Sequence, residues 1–287
     1  MYVVATPIGN LSDVSARAEE TLAGVDLVLA EDTRVTRTLL AHLGLHPPTR
    51  ALHEHNEAQA AAGLVEQLMQ GESMAIVADA GTPGVSDPGA RLVRAALDAG
   101  IRVVPIPGPN AAISALSASG FTGPFLFIGF APDKESARRK ALAALRGHAT
   151  TMIWYEAPHR LAAMIDDLNA VFGPDRRLVI ARELTKLFES VHALRLGEAP
   201  AWLAADPNRS RGEIVLVVEG ARPATDDERA MGEEDRILHP LLEELPLSRA
   251  VALAVRMTGT RRNILYERAL RWQREHGPAA EKGREES

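Results

Sequence analysis

The sequence has no cysteine among its 287 residues, which excludes disulfides, thiolate zinc sites, iron–sulfur clusters and a cysteine nucleophile, and fits a reducing compartment. No window approaches the roughly 18 consecutive apolar residues of a membrane helix. The opening "MYVVATPIGN" carries neither a basic leader nor a small-residue cleavage site. These absences predict a soluble, cytoplasmic protein with no membrane partner. Two phosphate-binding signatures are missing as well. In "DAGTPGVSDPG" Gly84 is followed by valine and serine where a P-loop needs lysine and then serine or threonine, and no Gly-x-Gly-x-x-Gly follows the first apolar run. An overall positive charge is also lacking: 32 basic against 38 acidic residues leave a net charge of −6, so a nucleic-acid partner requires a local patch.

What is present is alternation. From Tyr2 to Gly120 short apolar runs ("YVVAT", "VDLVLA", "RALHEH", "SMAIVAD", "IRVVPI") alternate with helical patterns that begin at Ser12 and Thr33 and after Asn56, Asp87 and Pro109. This predicts an α/β domain over 1–120 with a mainly parallel sheet. Strand-like runs resume at "FLFIGF" and continue to "GEIVLVVEG", with a basic helix from about Lys134, predicting a second α/β domain over 121–220 with a mixed sheet. A polar, proline-containing stretch reads as a linker over 221–234. Three short helical stretches over 235–275 resemble a helix-turn-helix, with Ser248 and Thr260 placed as N-caps, and 276–287 reads as a disordered tail. Between Arg249 and Arg274 seven arginines, Arg249, Arg256, Arg261, Arg262 and Arg268 among them, face one acid, Glu267. That is the local patch. A solvated helical face is the plain alternative; phosphate contacts by arginine are the reading it favours.

Three presumed strand ends carry glycine- and proline-rich loops, "TPIGNLSD", "DAGTPGVSDPG" and "PIPGPNAA", where open α/β sheets place ligands. The second holds Asp79 and Asp87 and no lysine, which suits an uncharged or cationic ligand better than a polyphosphate. Adenine, ribose and methionine present such groups. Ordinary turn chemistry explains any one of these loops alone. In "HEHNE" a metal site falls short of ligands, and Asn56 as N-cap with Glu57 in the first turn is the simpler reading. In "AEDTR" Asp32 and Arg34 stand at a helix start. Glu183 and Lys186 in "ARELTK", three residues apart, form either a surface pair or a base with a charge partner.

The ordered motifs "VATPIGNLSD", "LAEDTRVT", "HEHNE", "ADAGTPGVSDPG", "PGPNAAISAL", "YEAPHR", "ARELTK" and "RGEIVLVVEG" resemble the tetrapyrrole-methylase superfamily and, within it, the branch that methylates small-subunit ribosomal RNA. The likeness spans residues 2 to 275. It implies S-adenosylmethionine as methyl donor, two α/β domains with the donor in the cleft between them, a homodimer, and 2′-O-methylation of a cytidine ribose near the decoding centre, in naked RNA or the assembled small subunit. Methylation of a small tetrapyrrole-like substrate is the alternative. By motif, the donor contacts implied are Asp79, Gly81, Thr82, Val85, Asn110, Ala111, Tyr155, Glu156 and Ala181. Where tetrapyrrole methylases carry Gly-Asp-Pro this chain has Gly81-Thr82-Pro83, which favours the RNA branch. For catalysis, Glu183 and Lys186 are expected to serve the acceptor hydroxyl, with Asp32 and Arg34 orienting the nucleotide.

Overall fold

The five apolar runs of the N-terminal half form the parallel strands β1 (Tyr2–Val4), β2 (Leu27–Ala30), β3 (Thr49–Ala51), β4 (Met74–Val77) and β5 (Val104–Ile106), in the order β3-β2-β4-β1-β5. The computed structural model describes residues 1–222 and 226–276, with side chains described at 1–222 and 234–274. Strands β2 and β4 are buried at every position, which is why "LVLA" and "MAIV" read as continuous apolar runs rather than as alternation. The linking helices are α1 (Ala16–Gly24), α2 (Thr33–His42), α3 (Glu57–Met69), α4 (Ala90–Asp98) and α5 (Ala111–Ser117).

Side-chain caps fix several starts. Ser15 accepts from Ala18 N–H, Asp32 from Arg34 N–H and Asn110 from Ile113 N–H. The helix expected from Ser12 is there a single 3-10 turn, Leu11–Asp13, and α1 begins after Ser15. Asn56 stands at the start of α3 but does not cap it. Its side chain turns back to bind the His53 N–H and the Ala51 carbonyl.

The second sheet contains β6 (Phe125–Phe130), β7 (Thr151–Glu156), β8 (Arg177–Arg182), β9 (Ser190–Arg195) and β10 (Ile214–Val218), in the order β6-β7-β10-β8-β9. Only β6 and β7 run parallel; β10 pairs antiparallel with both β7 and β8, so the sheet is mixed as expected. Helices α6 (Glu135–Leu145), α7 (Leu161–Phe172) and α8 (Ala199–Ala204) pack on one face around Trp154, Leu161 and Leu216, and α5 of the first half packs against the other around Ile153, Val179 and Val215. Both sheets belong to one compact unit, Met1–Ala221.

The second unit, Arg222–Ser287, contains α9 (Asp226–Glu244), α10 (Leu247–Thr258) and α11 (Arg262–His276), packed around Leu238, Leu242, Val251 and Leu265. Helix α9 starts at Asp226, inside the stretch read as a linker; residues 223–225 of that stretch, and 277–287 of the expected tail, lie outside the described residues. Neither expected cap forms. Ser248 lies in the first turn of α10, whose cap position is Pro246, and the Thr260 hydroxyl donates to Glu234 instead.

Candidate active site

The loops after β1, β4 and β5 leave neighbouring strands of the first sheet and meet. Thr6 and Gly81 exchange backbone hydrogen bonds, and the Thr6 hydroxyl donates to the Ala78 carbonyl at 3.1 Å. Gly81 has φ +88°, which only glycine adopts without strain, so the turn after β4 can bend back onto the first loop. The Thr82 hydroxyl donates to the Pro109 carbonyl at 3.1 Å and accepts from the Asn110 amide at 3.4 Å, tying the second loop to the third. Tyr155 on β7 accepts through its hydroxyl from Ala112 N–H at 3.3 Å, which joins the second sheet to the start of α5.

These ties enclose a cavity of about 310 Å³ between the two sheets. Of the expected donor residues, Gly81, Thr82, Val85, Asn110, Ala111, Tyr155 and Glu156 line it. Asp79 and Ala181 do not. The Asp79 carboxylate accepts from Asp32 N–H at 2.9 Å, locking the end of β4 to the end of β2. Ala181 is fully buried in β8, and its register partner Val215, on the same face of the sheet, lines the cavity.

The four residues expected at the acceptor line no part of the cavity. Arg34 pairs with Asp32 at 2.5 Å and is 86 % exposed; its hydrogen bonds hold the Asp32 carboxyl down to about 2. Glu183 and Lys186 pair at 3.0 Å, and Lys186 also reaches Glu213, which does line the cavity, at 3.0 Å. Burial pulls Lys186 down, but its bonds to Glu183 and Glu213 outweigh that and leave it raised. Glu183 is shifted the opposite way: burial raises it, while the Glu213 N–H and Lys186 together hold it low. The lysine is therefore held as a cation rather than as the neutral amine a general base requires.

Residues outside the expected set complete the lining. Ile8 comes from the first loop, Ser86 and Asp87 from the second, and Leu184, Gly212, Glu213 and Val215 from β8 and β10 and their ends. Ser86 holds φ +64°, an uncommon conformation for a non-glycine residue, and it sets Asp87 at the wall. Burial, reinforced by the charges of Glu31 and Asp79, pushes the Asp87 carboxyl up to about 7. No hydrogen bond or ion pair joins Asp87 to another described residue. Glu156 is buried, and its Oε2 has no partner among the described residues, while Oε1 accepts from Ala157 N–H and lies 3.1 Å from Arg160. An acid in a glycine-rich loop without lysine is the signal that could have singled out Asp87; Leu184, Gly212, Glu213 and Val215 stand at strand edges with no local signal.

An apolar wall (Ile8, Val85, Leu184, Val215) together with the Asp87 carboxyl is a complementary cradle for a molecule with an uncharged body and a cationic end. S-adenosylmethionine is such a molecule, with a sulfonium and an ammonium group. The residues present fit it.

Known proteins agree. Residues 1–200 match the tetrapyrrole (corrin/porphyrin) methylases, and residues 229–273 match the RsmI C-terminal HTH domain. Among solved structures the chain resembles uroporphyrin-III-C-methyltransferase from Thermus thermophilus (TM-score 0.54, 23 % identity, 76 % of this chain and 93 % of that one). It also resembles the methyltransferase CobJ (TM-score 0.56, 21 % identity, 77 % and 93 %). The fold is that of a tetrapyrrole-methylase-type methyltransferase, an enzyme class whose methyl donor is S-adenosylmethionine. Curated relatives narrow this. "Ribosomal RNA small subunit methyltransferase I" of Pseudomonas aeruginosa is 48 % identical over 274 residues, covering 95 % of this chain and 97 % of that protein. Its namesake in Xylella fastidiosa strain Temecula1 is 49 % identical over 267 residues, covering 93 % and 97 %. The chain belongs to the tetrapyrrole methylase family and, within it, to the ribosomal RNA small subunit methyltransferase I family.

Proposed function

We propose that the chain transfers a methyl group from S-adenosylmethionine to the 2′-hydroxyl of a cytidine ribose in small-subunit ribosomal RNA, near the decoding centre. The observation that carries this reading is near-half identity along almost the whole chain, helical unit included, to relatives named for that RNA. The helical unit also speaks against a small tetrapyrrole as substrate: Arg249, Arg256, Arg261 and Arg262 are all exposed on it. Arg268 is different. It is ion-paired with Glu234, and with Asp235 at 2.6 Å, and serves the bundle rather than a phosphate. Action on ribosomal RNA supports a cytoplasmic location. Among the described residues no helix is long and apolar enough to cross a membrane. The family resemblance further supports a homodimer.

When bound, the donor would supply an electrophilic methyl on a sulfonium, whose bond to sulfur breaks as the acceptor oxygen attacks in line and the neutral thioether leaves. The chain's part is binding, orientation and proton handling. Asp87 offers its carboxylate to the donor's cationic end. The Thr82–Asn110 pair and the Tyr155–Ala112 bond hold the cavity walls in register. Ile8, Val85 and Leu184 exclude water. At the acceptor, Lys186 held as a cation stabilises negative charge developing on the 2′ oxygen, and the Glu183 carboxylate accepts its proton. Arg34, with its exposed guanidinium, is available to a neighbouring phosphate, and Asp32 holds it at the end of β2.

The test is transfer of a labelled methyl group to small ribosomal subunits that lack the modification, with the product mapped by resistance of the neighbouring linkage to alkaline cleavage. Label on a single alkali-resistant cytidine is the expected result. Label on a base, or none on RNA and some on a tetrapyrrole, overturns the reading.

A further inference from the structure

The loop joining β8 to β9, residues 183–189, presents two apolar side chains to solvent: Leu187 is 89 % and Phe188 67 % exposed. The loop that carries them is firmly held. Glu183 N–H donates to the Glu213 carbonyl, Lys186 N–H to the Glu183 carbonyl and Glu189 N–H to the Lys186 carbonyl, at 2.9 to 3.1 Å. Thr185 N–H donates to the Glu189 carboxylate. Arg182 clamps the far side, donating to the carbonyls of Phe188 and Arg211, both at 3.3 Å. Glu183 and Thr185 hold φ of +51° and +66°, a conformation kept only where the surroundings over-determine it. Two large apolar groups on a fixed support, with no interior to enter, are costly to leave in water unless something covers them.

Position says what that is. Leu184, at the foot of the loop, lines the donor cavity, and Phe188 is four residues on, within about 15 Å along the chain. On the other side the loop abuts the first sheet's "TPIGN" turn so closely that a Cβ on Gly9 would lie 2.5 Å from the Lys186 side chain. The tip therefore lies within reach of the cavity an acceptor must enter. Beside it lie the Arg182 guanidinium, which donates to the Phe188 carbonyl, and the Lys186 ammonium, which pairs with Glu183 and Glu213. An aromatic face with a guanidinium beside it, next to an active-site cavity, is a composition that suits single-stranded nucleic acid, the face stacking on a base and the cation meeting a phosphate. A second copy of the chain fits less well. Two protruding side chains beside a guanidinium offer far less than the roughly 800 Å² each partner buries in a stable interface.

Resting on the RNA reading above, we propose that Phe188, backed by Leu187, stacks on a base of the RNA strand next to the cavity and holds the acceptor nucleotide out of its own stack, with its ribose turned to the donor. A ribose within structured RNA reaches an enclosed cavity only if its nucleotide is drawn out, and a fixed apolar side chain that fills or extends the stack lowers the cost of that step.

The experiment compares full-length wild type, Phe188→Ala and Phe188→Trp in steady-state methyl transfer to unmodified small ribosomal subunits, with calorimetric titration of S-adenosylmethionine and sedimentation velocity on each. Phe188→Ala is expected to lower kcat/KM for subunits about tenfold, the scale of removing one base–aromatic stack. Phe188→Trp should restore it, with donor affinity and sedimentation unchanged in both. An alanine variant within twofold of wild type overturns the proposal. So does a tryptophan variant as impaired as the alanine one, which would assign the ring a packing role, or a change in sedimentation, which would assign the tip to a second copy. Absence of transfer by the wild type itself is the distinct result that removes the RNA reading, and this inference with it.

Discussion

Glu57 on α3 caps a helix that is not its own: its buried Oε1 accepts from the Gly89 and Leu92 N–H groups of α4, at 3.1 and 3.0 Å. The start of α4 has no side-chain cap within its own sequence, so this carboxylate fixes the "SDPG" turn that carries Asp87. Glu57→Ala should cost about 2 kcal/mol of stability, since it leaves two buried donors unpaired. Glu57→Gln, still an acceptor, should cost less. Thermal melts of the two variants check the order.

Asp87 makes donor binding depend on pH. In the free protein burial and the charges of Glu31 and Asp79 push its carboxyl up to about 7, and a cationic ligand prefers it ionised. Affinity for S-adenosylmethionine should therefore rise between pH 6 and pH 8 and then level off. Asp87→Asn should bind more weakly and show a flat profile in calorimetric titrations. Stability runs in the opposite sense. Folding raises this acid's pKa above the ordinary value of about 4, so the folded state binds the proton more tightly in that window. The apoprotein loses stability as pH rises from about 4 to about 7, and Asp87→Asn removes that loss.

The Glu183–Lys186 pair, at 3.0 Å, is proposed to serve the acceptor and not the donor. Glu183→Gln and Lys186→Met should each lower kcat by about 10²- to 10⁴-fold, the range for a positioned proton-transfer group, with donor affinity unchanged. Single-turnover rates and titrations on the same preparations check both halves. Turnover near the wild-type level in both variants would remove the assignment.

The arginines of the helical unit should divide into two kinds. Replacing Arg249, Arg256, Arg261 and Arg262 together by glutamine should leave the melting curve unchanged. RNA affinity should fall, and the slope of log affinity against log salt should lessen by about 3, at roughly 0.7–0.9 for each phosphate no longer neutralised. Arg268→Ala should instead destabilise the bundle, because it strands the half-buried Glu234 and Asp235 without their partner.

Much of this was legible in the residues, and the division is physical. "LVLA" and "MAIV" announced buried parallel strands because both their faces are covered, and the helices expected from Thr33 and after Pro109 begin at the loops that matter, though the caps expected at Asn56, Ser248 and Thr260 do not form. The glycines and prolines of "DAGTPGVSDPG" pointed to a ligand loop because side chains are ill-suited to the bend at Gly81. What sequence does not encode locally is which of two paired residues a cavity reaches. Ala181 and Val215 are register partners on one face of adjacent strands, and of the two only Val215 lines the cavity. Asp79 was equally opaque, since its partner is the N–H of Asp32 at the end of another strand. So was Arg268, whose partners lie on α9. Leu184, Gly212 and Glu213 reach the cavity only because β8 and β10 are neighbours.

The central claim, that the cavity shaped by the meeting of Thr6, Gly81, Thr82 and Asn110 is the donor site, is tested most directly by calorimetric titration of the full-length protein with S-adenosylmethionine beside the Thr82→Arg variant. The account predicts one site per chain in the wild type and no measurable binding in the variant, whose side chain would fill the cavity. Equal affinity in the two proteins would contradict it.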